Sequence, residues 1–363
     1  MKATLRRPSD LGPDEVAAWH RFQAEELALQ NPFVSPEFAS AVDGVRTDAR
    51  VVVVEEDREV VGFLPCSVGG LGLARPIAPG FCDLQAFVHR PGLSWSPRAV
   101  LGAAGLRAWR FDHLLGAQVG EVTGPARPVT TAASWIIDLA DGWDGYARWA
   151  KAERGRYFKW LERKQRRFQR EHPDASFTYA RDDPAGLSAL MALKSAQCRR
   201  MGWKDLFGLG WVRDLVERLA GSRTAALAGG LSALRIGDRV VAADFSLRSS
   251  RVYAGWLIAY DPDLAPYSPG AVRWRHLLEA AAAQGVSRID LGKGEDDFKR
   301  RFSSGTVALA VGMWTAGGPL AGAWGGVDHL GRVARSRYPT VEQRARATLQ
   351  AARRRYERST PSG

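Results

Sequence analysis

Between Leu231 and Tyr260 the chain lays down three apolar segments joined by two tight turns: "LSALRIG", "RVVAADFSLR" and "RVYAGWLIAY", with Gly237-Asp238 and Ser249-Ser250 between them. Short runs of this kind, closed by turn-forming pairs, read as the strands of an antiparallel meander. After "DPDLAPYSPG" the pattern changes to a helical one, from about Ala271 to Gln284, with Gly285 as its stop. Two helices precede the meander. Asp182-Asp183-Pro184 opens the first, whose Leu187, Leu190, Met191, Lys194 and Cys198 recur at helical spacing, and "WVRDLVERLAG" is the second. After Gly285, "SRIDLG" reads as a short buried strand, "EDDFKRRF" as a helical turn and "TVALAVGMW" as a last strand. The order α-α-β-β-β-α-β-α-β predicts a mixed α/β fold with a mixed sheet.

The first half reads less clearly. "NPFVSPEFASAV" is a step into a short helix, "ARVVVVEEDREVVGFLPCSV" is a hairpin turning at Asp57-Arg58, and "AWRFDHLL" and "SWIIDL" are strands. A chain of 363 residues is comfortable for two domains. The expected division is 1–147, a basic connecting helix and linker over 148–180, a second lobe over 181–330, and a basic tail over 331–363. In "ARWAKAERGRYFKWLERKQRRFQREHPD", Tyr157, Trp160, Leu161 and Phe168 share one helical face, while Lys159, Arg163, Arg166 and Arg170 share the other. That basic face is a solvated helix side or a docking surface for a polyanion. The tail is arginine-rich with few apolar anchors, and its expected form is a frayed helix with a disordered end.

The formal net charge of +12 invites an anionic partner, although in an arginine-rich chain also rich in alanine and glycine the excess is as readily a compositional bias as a binding surface. The three cysteines, Cys66, Cys82 and Cys198, have no CxxC spacing, and reduced thiols in the cytoplasm are expected. The N-terminus lacks the apolar core of a signal peptide, and no uncharged apolar run approaches the ~20 residues of a membrane span. The six histidines are dispersed, no pair has metal-ligand spacing, and no metal is expected.

The order of elements, with Ser268-Pro269-Gly270 opening a helix directly after the third strand, resembles the GNAT acetyltransferases. "IDLGKGEDDFKRRF" narrows the resemblance to the bacterial CelD-type proteins named for cellulose biosynthesis, a branch related to the Fem aminoacyltransferases. There an aspartate ends the strand, a Gly-x-Gly follows and an aromatic-lysine pair comes later; here these are Asp290, Gly292, Gly294, Phe298 and Lys299. Phe298 stands where the family commonly has tyrosine, which removes a hydroxyl. The resemblance spans about residues 30–315. It implies tandem GNAT-like acyl-CoA N-acyltransferase lobes, with acetyl-CoA or another acyl-CoA as co-substrate and a small-molecule acceptor, in the family's context a sugar or an envelope or exopolysaccharide precursor.

The residues offer specific candidates for that chemistry. A helix N-terminus has unpaired N–H groups and a positive dipole end suited to a pyrophosphate, which points to Tyr267, Ser268, Pro269, Gly270 and Ala271, with Ser268 able to cap and Arg273 and Arg275 able to add charge. "LGKGE" lacks the nucleotide P-loop pattern, and its glycines read instead as a sharp turn lining a cleft. An amine acceptor must lose a proton to become nucleophilic. The candidate bases are Asp244, an acid within an apolar strand, and Asp290, with His276 and Glu279 behind them. Lys299 either binds an anionic group or pairs with Glu295. Tyr253 or Tyr260 is a candidate acid for the leaving thiolate. The family resemblance adds Asp83 in "GFCDLQAFV" facing the acceptor, and Trp256, Trp203 and Trp211 suit an acceptor cleft for sugars. Cys82 has no histidine partner in sequence. Two other readings stay open: a Fem-like transferase drawing on aminoacyl-tRNA, although those proteins commonly carry a helical arm longer than the basic helix here, and a GNAT-like polyanion-binding scaffold without catalysis.

Overall fold

The computed structural model describes residues 1–120, 130–294 and 297–317. The chain forms one lobe, then repeats the same order of elements in a second. The first lobe begins with β1 (Lys2–Arg6), α1 (Pro13–Ala24) and α2 (Pro36–Asp43), followed by β2 (Ala49–Glu56), β3 (Glu59–Val68), β4 (Leu73–Pro76) and a two-residue β5 (Val88–His89). It ends with α3 (Pro97–Ala103), β6 (Ala108–Leu115), α4 (Ala117–Gly120) and β7 (Thr130–Asp138). A 30-residue helix, α5 (Gly142–Glu171), kinked at Arg154 (φ −131°, ψ 26°), leads across. The second lobe runs β8 (Ala175–Arg181), α6 (Pro184–Arg200), α7 (Gly210–Ala220), β9 (Ala228–Ile236), β10 (Arg239–Arg248) and β11 (Val252–Tyr260). It closes with α8 (Pro269–Ala283), β12 (Arg288–Lys293), α9 (Asp297–Phe302) and β13 (Gly305–Thr315).

Local chemistry accounts for the principal boundaries. Asp57 and Arg58 both take positive φ (51° and 69°), the geometry of a two-residue hairpin turn, and link β2 to β3. Asp183 caps α6 by accepting from the Gly186 N–H (2.8 Å), with Pro184 in the first turn. Ser35 does the same for α2 by accepting from Phe38 N–H (3.1 Å). β8 lies inside the 148–180 stretch that sequence analysis set aside as helix and linker; its side chains are half-buried or exposed, so the stretch carries no clear alternation. The expected 331–363 tail lies outside the described residues.

The strands of the described residues join one sheet in the order β1-β2-β3-β4-β6-β13-β7-β12-β11-β10-β9-β8, with β5 beside β3. Each lobe contributes a meander and one parallel pair, β4 with β6 and β11 with β12. The last strands are exchanged. β7, which ends the first lobe, pairs with β12 of the second; β13, which ends the second, pairs with β6 of the first; and β7 and β13 pair with each other at the centre. A common apolar core ties the halves together, from Trp19, Phe33 and Phe38 to Leu215, Phe245 and Leu257.

The two parallel pairs differ in one respect that places the site. β11 and β12 are bonded only over Val252–Ala254 and Arg288–Asp290, and beyond Ala254 and Asp290 they part. In the first lobe the matching space beyond β4 is closed by the chain itself. Gln85 N–H donates to the His113 carbonyl, Leu115 N–H donates to the Gln85 carbonyl (both 2.9 Å), and the Gln85 side chain bonds Asp112.

The strand exchange carries an expectation. A chain cut between α5 and β8, at the His172–Pro173 link, should remain a one-to-one complex on size-exclusion chromatography, because each fragment holds a strand that completes the other's half of the sheet. Each fragment alone should be insoluble or unfolded by circular dichroism.

Candidate functional site

Gly292, just past the point where β11 and β12 separate, is the centre of the site. Its φ of +73° is the left-handed conformation that glycine takes without strain. Its N–H donates to Asp290 Oδ1 (2.8 Å) and its carbonyl accepts from Lys299 Nζ (3.1 Å). A methyl group placed on Gly292 would lie 3.7 Å from Asp83 Oδ2 and 3.8 Å from Lys299 Nζ. Asp83, from far back in the first lobe, therefore meets Asp290 and Lys299 around one glycine.

The three are held differently. Asp290 is buried, and both its oxygens are occupied: Oδ2 accepts from Asn31 Nδ2 of the first lobe (3.1 Å), and Oδ1 from Ser134 of the exchanged strand β7 as well as from Gly292. Burial raises its pKa, with the Ser134 and Gly292 hydrogen bonds and the Lys299 charge pulling the other way. Lys299 Nζ also donates to the Lys293 carbonyl (2.8 Å), which pins the ammonium beside the turn; Glu295, its other expected partner, lies outside the described residues. Asp83, half-buried, makes no hydrogen bond or ion pair among the described residues. Burial raises its pKa; the neighbouring Asp290 charge adds to that, while His113 and Lys299 oppose it.

Behind Asp83 stands a second polar group that sequence reasoning did not single out. His113 Nδ1 lies 3.0 Å from Asp112 Oδ1, Gln85 Nε2 donates to the same carboxylate (2.6 Å), and Lys293 Nζ donates to the Asp112 carbonyl (2.7 Å). Burial works against the Asp112 charge, but the His113 and Gln85 hydrogen bonds outweigh it and hold the carboxyl at about 2. Asn31 and Ser134 were also missed. The sequence showed "NPFV" and "SWIIDL" only as a helix lead-in and a strand; the link of these residues to Asp290 spans 259 and 156 positions.

The α8 junction lies at the far end of the same opening. Ser268 has left-handed backbone angles (φ 57°, ψ 53°) and gives no side-chain cap, which corrects the expectation from sequence; its carbonyl accepts from Ala271 and Val272 N–H. Pro269 occupies the first turn. A Cβ on Gly270 would meet nothing nearer than Tyr260 Cδ1 at 3.9 Å, so the backbone here is open to close approach. Tyr260 is 41% exposed beside it. Tyr267 is turned toward α5, where its hydroxyl donates to Glu171 (2.7 Å). With an open glycine second in the helix, the first turn of α8 leaves its backbone N–H groups accessible to an anionic group.

Two further expectations change because their residues pair with each other. Arg273 and Asp244 are both completely buried, and Arg273 Nη1 lies 2.8 Å from Asp244 Oδ1, a charge contact without the alignment of a hydrogen bond. Asp244 Oδ2 accepts from the equally buried Tyr253 hydroxyl (2.9 Å). Burial raises the Asp244 pKa against the pull of Arg273 and Tyr253. This withdraws Arg273 from a phosphate at the helix surface and Asp244 and Tyr253 from an acceptor in the cleft; together they tie α8 to the sheet. His276 stacks on Phe177 and Glu279 pairs with Arg275, both away from Gly292. Trp256, half-buried, packs edge-on against Phe33 at the lobe junction, and Trp211 packs against Phe81 and Arg46. Cys82 is buried, its thiol on the Leu84 carbonyl and its pKa well raised by burial.

An open strand gap, a Pro-Gly helix start beyond it and a carboxylate–lysine cluster at its mouth together make up the candidate site. Residues 155–300 match the acetyltransferase (GNAT) domain family, so that segment of the chain carries an acetyltransferase-type domain and the protein is a transferase. Among solved structures it is similar to a conserved protein of unknown function from Bacteroides thetaiotaomicron, with a TM-score of 0.54 and 13% identity over 82% of this chain and 96% of that one. It is also similar to L-PGS from Bacillus licheniformis, with a TM-score of 0.52 and 13% identity over 90% of this chain and 98% of that one. At such identities the likeness is one of fold. No curated protein matches the sequence at a significant level.

The buried ion pair gives a stability test. Replacing Asp244 or Arg273 alone by leucine should lower the free energy of unfolding by about 3–5 kcal/mol, because each single change strands a buried charge. The double replacement should recover most of that loss in urea titrations.

Proposed function

We propose that the chain is an acyl-CoA-dependent acyltransferase that carries an acyl group, acetyl first of all, to an amine or hydroxyl of an acceptor bound between the lobes. The observation that carries this reading is Asp83: a desolvated carboxylate with a raised pKa and no hydrogen-bond or ion-pair partner among the described residues, set beside Lys299 at the mouth of the β11–β12 gap. A carboxylate engaged on both oxygens, as Asp290 is, serves best as an anchor. Asp83 is the base.

The first turn of α8 at Pro269, Gly270 and Ala271 would hold the CoA pyrophosphate, and the pantetheine would run into the gap toward Gly292. The thioester supplies the activated acyl group. The acceptor nucleophile attacks its carbonyl carbon directly, Asp83 takes the nucleophile's proton, and the C–S bond breaks as the tetrahedral centre collapses, with the proton passing to the thiolate as CoA leaves. Lys299 supplies positive charge where negative charge develops or where the acceptor carries an anionic group. Trp256, at the lobe junction against Phe33, offers aromatic surface for a ring-shaped acceptor. That surface and the resemblance to the CelD-type proteins favour a sugar or an envelope or exopolysaccharide precursor as acceptor, in the cytoplasm.

A second reading takes the acyl group from aminoacyl-tRNA, as the Fem resemblance implies. The exposed Lys159, Arg163, Arg166 and Arg170 on α5 favour it.

Thermal unfolding with acetyl-CoA, free CoA and a mixed tRNA pool separates the two, since a ligand of the native state raises the midpoint by mass action. Acetyl-CoA is expected to raise it, and Gly270→Trp to abolish the rise; a rise with tRNA alone would replace the first reading by the second.

The pH dependence follows from the sign of the Asp83 shift. A base with a raised pKa is unprotonated only above that value, so kcat/KM should climb with pH along a limb lying above the ordinary carboxylate pKa of about 3.9. Asp83→Asn should remove that limb and lower kcat by roughly 10²- to 10⁴-fold.

A further inference from the structure

Half of the chain's net positive charge lies in one helix: α5 carries ten Lys and Arg against four Asp and Glu. Its C-terminal half runs beside the connection from β11 to α8. Lys164 Nζ donates to the Pro266 carbonyl (2.6 Å), and Arg167 lies 4.9 Å over the Tyr267 ring. Between α5 and α8 is an open groove of about 550 Å³ lined by Glu162, Gln165, Arg166, Gln169, Arg170 and Arg275.

The groove has an excess of guanidinium. Glu162, its one carboxylate, lies 3.9 Å from Arg275, which also has Glu279 at 3.2 Å. Arg170 has Glu171 at 3.0 Å, but Glu171 is shared with Arg167 and Tyr267 and so neutralises little of it. Arg166 is exposed and has no ion pair among the described residues. Arginine presents a planar fork that matches phosphate oxygens, and Arg166 and Arg170 stand one helical turn apart on the same wall. Arg275 is five residues beyond Gly270, about 7–8 Å along α8 at 1.5 Å per residue. That is a nucleotide-scale step from the backbone that would hold the pyrophosphate.

We propose that this groove takes the 3′-phosphate of the CoA nucleotide, with Arg166 and Arg170 as the phosphate forks and Arg275 as the flanking charge. The assignment rests on the acyl-CoA reading above. It makes the transferase selective for the phosphorylated cofactor, through residues on the helix that joins the lobes.

The test is isothermal titration of the full chain with acetyl-CoA and with acetyl-3′-dephospho-CoA, repeated on the Arg166→Gln/Arg170→Gln double variant. Loss of a charge-assisted phosphate contact should weaken the dephospho form on the unaltered chain by about tenfold or more. The double variant should bind both forms equally, at the weaker affinity. Equal binding of the two forms by the unaltered chain overturns the groove assignment and leaves the acyl-CoA reading intact, as does a preference that survives in the double variant. Binding of neither form removes both. A tRNA pool whose binding is lost in the double variant, with no 3′-phosphate preference, gives the groove to a polynucleotide and overturns the proposal.

Discussion

A carboxylate taken out of water must be met by donors, and the Asp290 carboxylate draws its donors from two distant parts of the chain and from its own turn. Asn31 comes from the lead-in to α2, Ser134 from the strand exchanged out of the first lobe, and Gly292 from the turn Asp290 itself introduces. Removing any of these would leave buried polar groups unpaired, at a cost of about 1–3 kcal/mol each. The geometry around Gly292 is thus inseparable from the docking of the lobes, and Asp83 can face Lys299 only because that docking holds.

The two lobes share an order of elements and divide the work. In the second, β11 and β12 part after three residue pairs and leave a gap that leads to α8. In the first, the segment around Gln85 zips onto β6, and its side chain satisfies Asp112 and His113. Among the described residues the closed gap leaves the first lobe without the opening seen in the second, but it fixes the loop that carries Asp83. One copy of the fold opens and the other supplies a wall.

Much of this was legible in the sequence because the signals were local. The meander, the Pro-Gly start of α8 and the Gly-x-Gly turn after Asp290 each depend on neighbours within a few residues. Asp83, Asp290 and Lys299 were singled out separately, and the fold brings them together. What escaped was long-range. Asp244 read correctly as an acid in an apolar strand, and Arg273 as a charge near a helix start, yet no local pattern showed that each was the other's partner across the core. Asn31 and Ser134 are ordinary polar residues until pairing places them against a buried carboxylate. β8, a half-buried strand at the sheet edge, has neither the alternation nor the continuous apolar run that marks a strand.

The exchanged strands also set an order in time. β6 is complete at Leu115, but its neighbour in the finished sheet, β13, begins at Gly305. At about 5–20 residues per second of synthesis, roughly 10–40 s separate the two, and during that interval the nascent first lobe presents an unpaired strand edge beside a built apolar core. The architecture that locks the lobes together therefore leaves the growing chain dependent on whatever shields that edge until its last strand arrives.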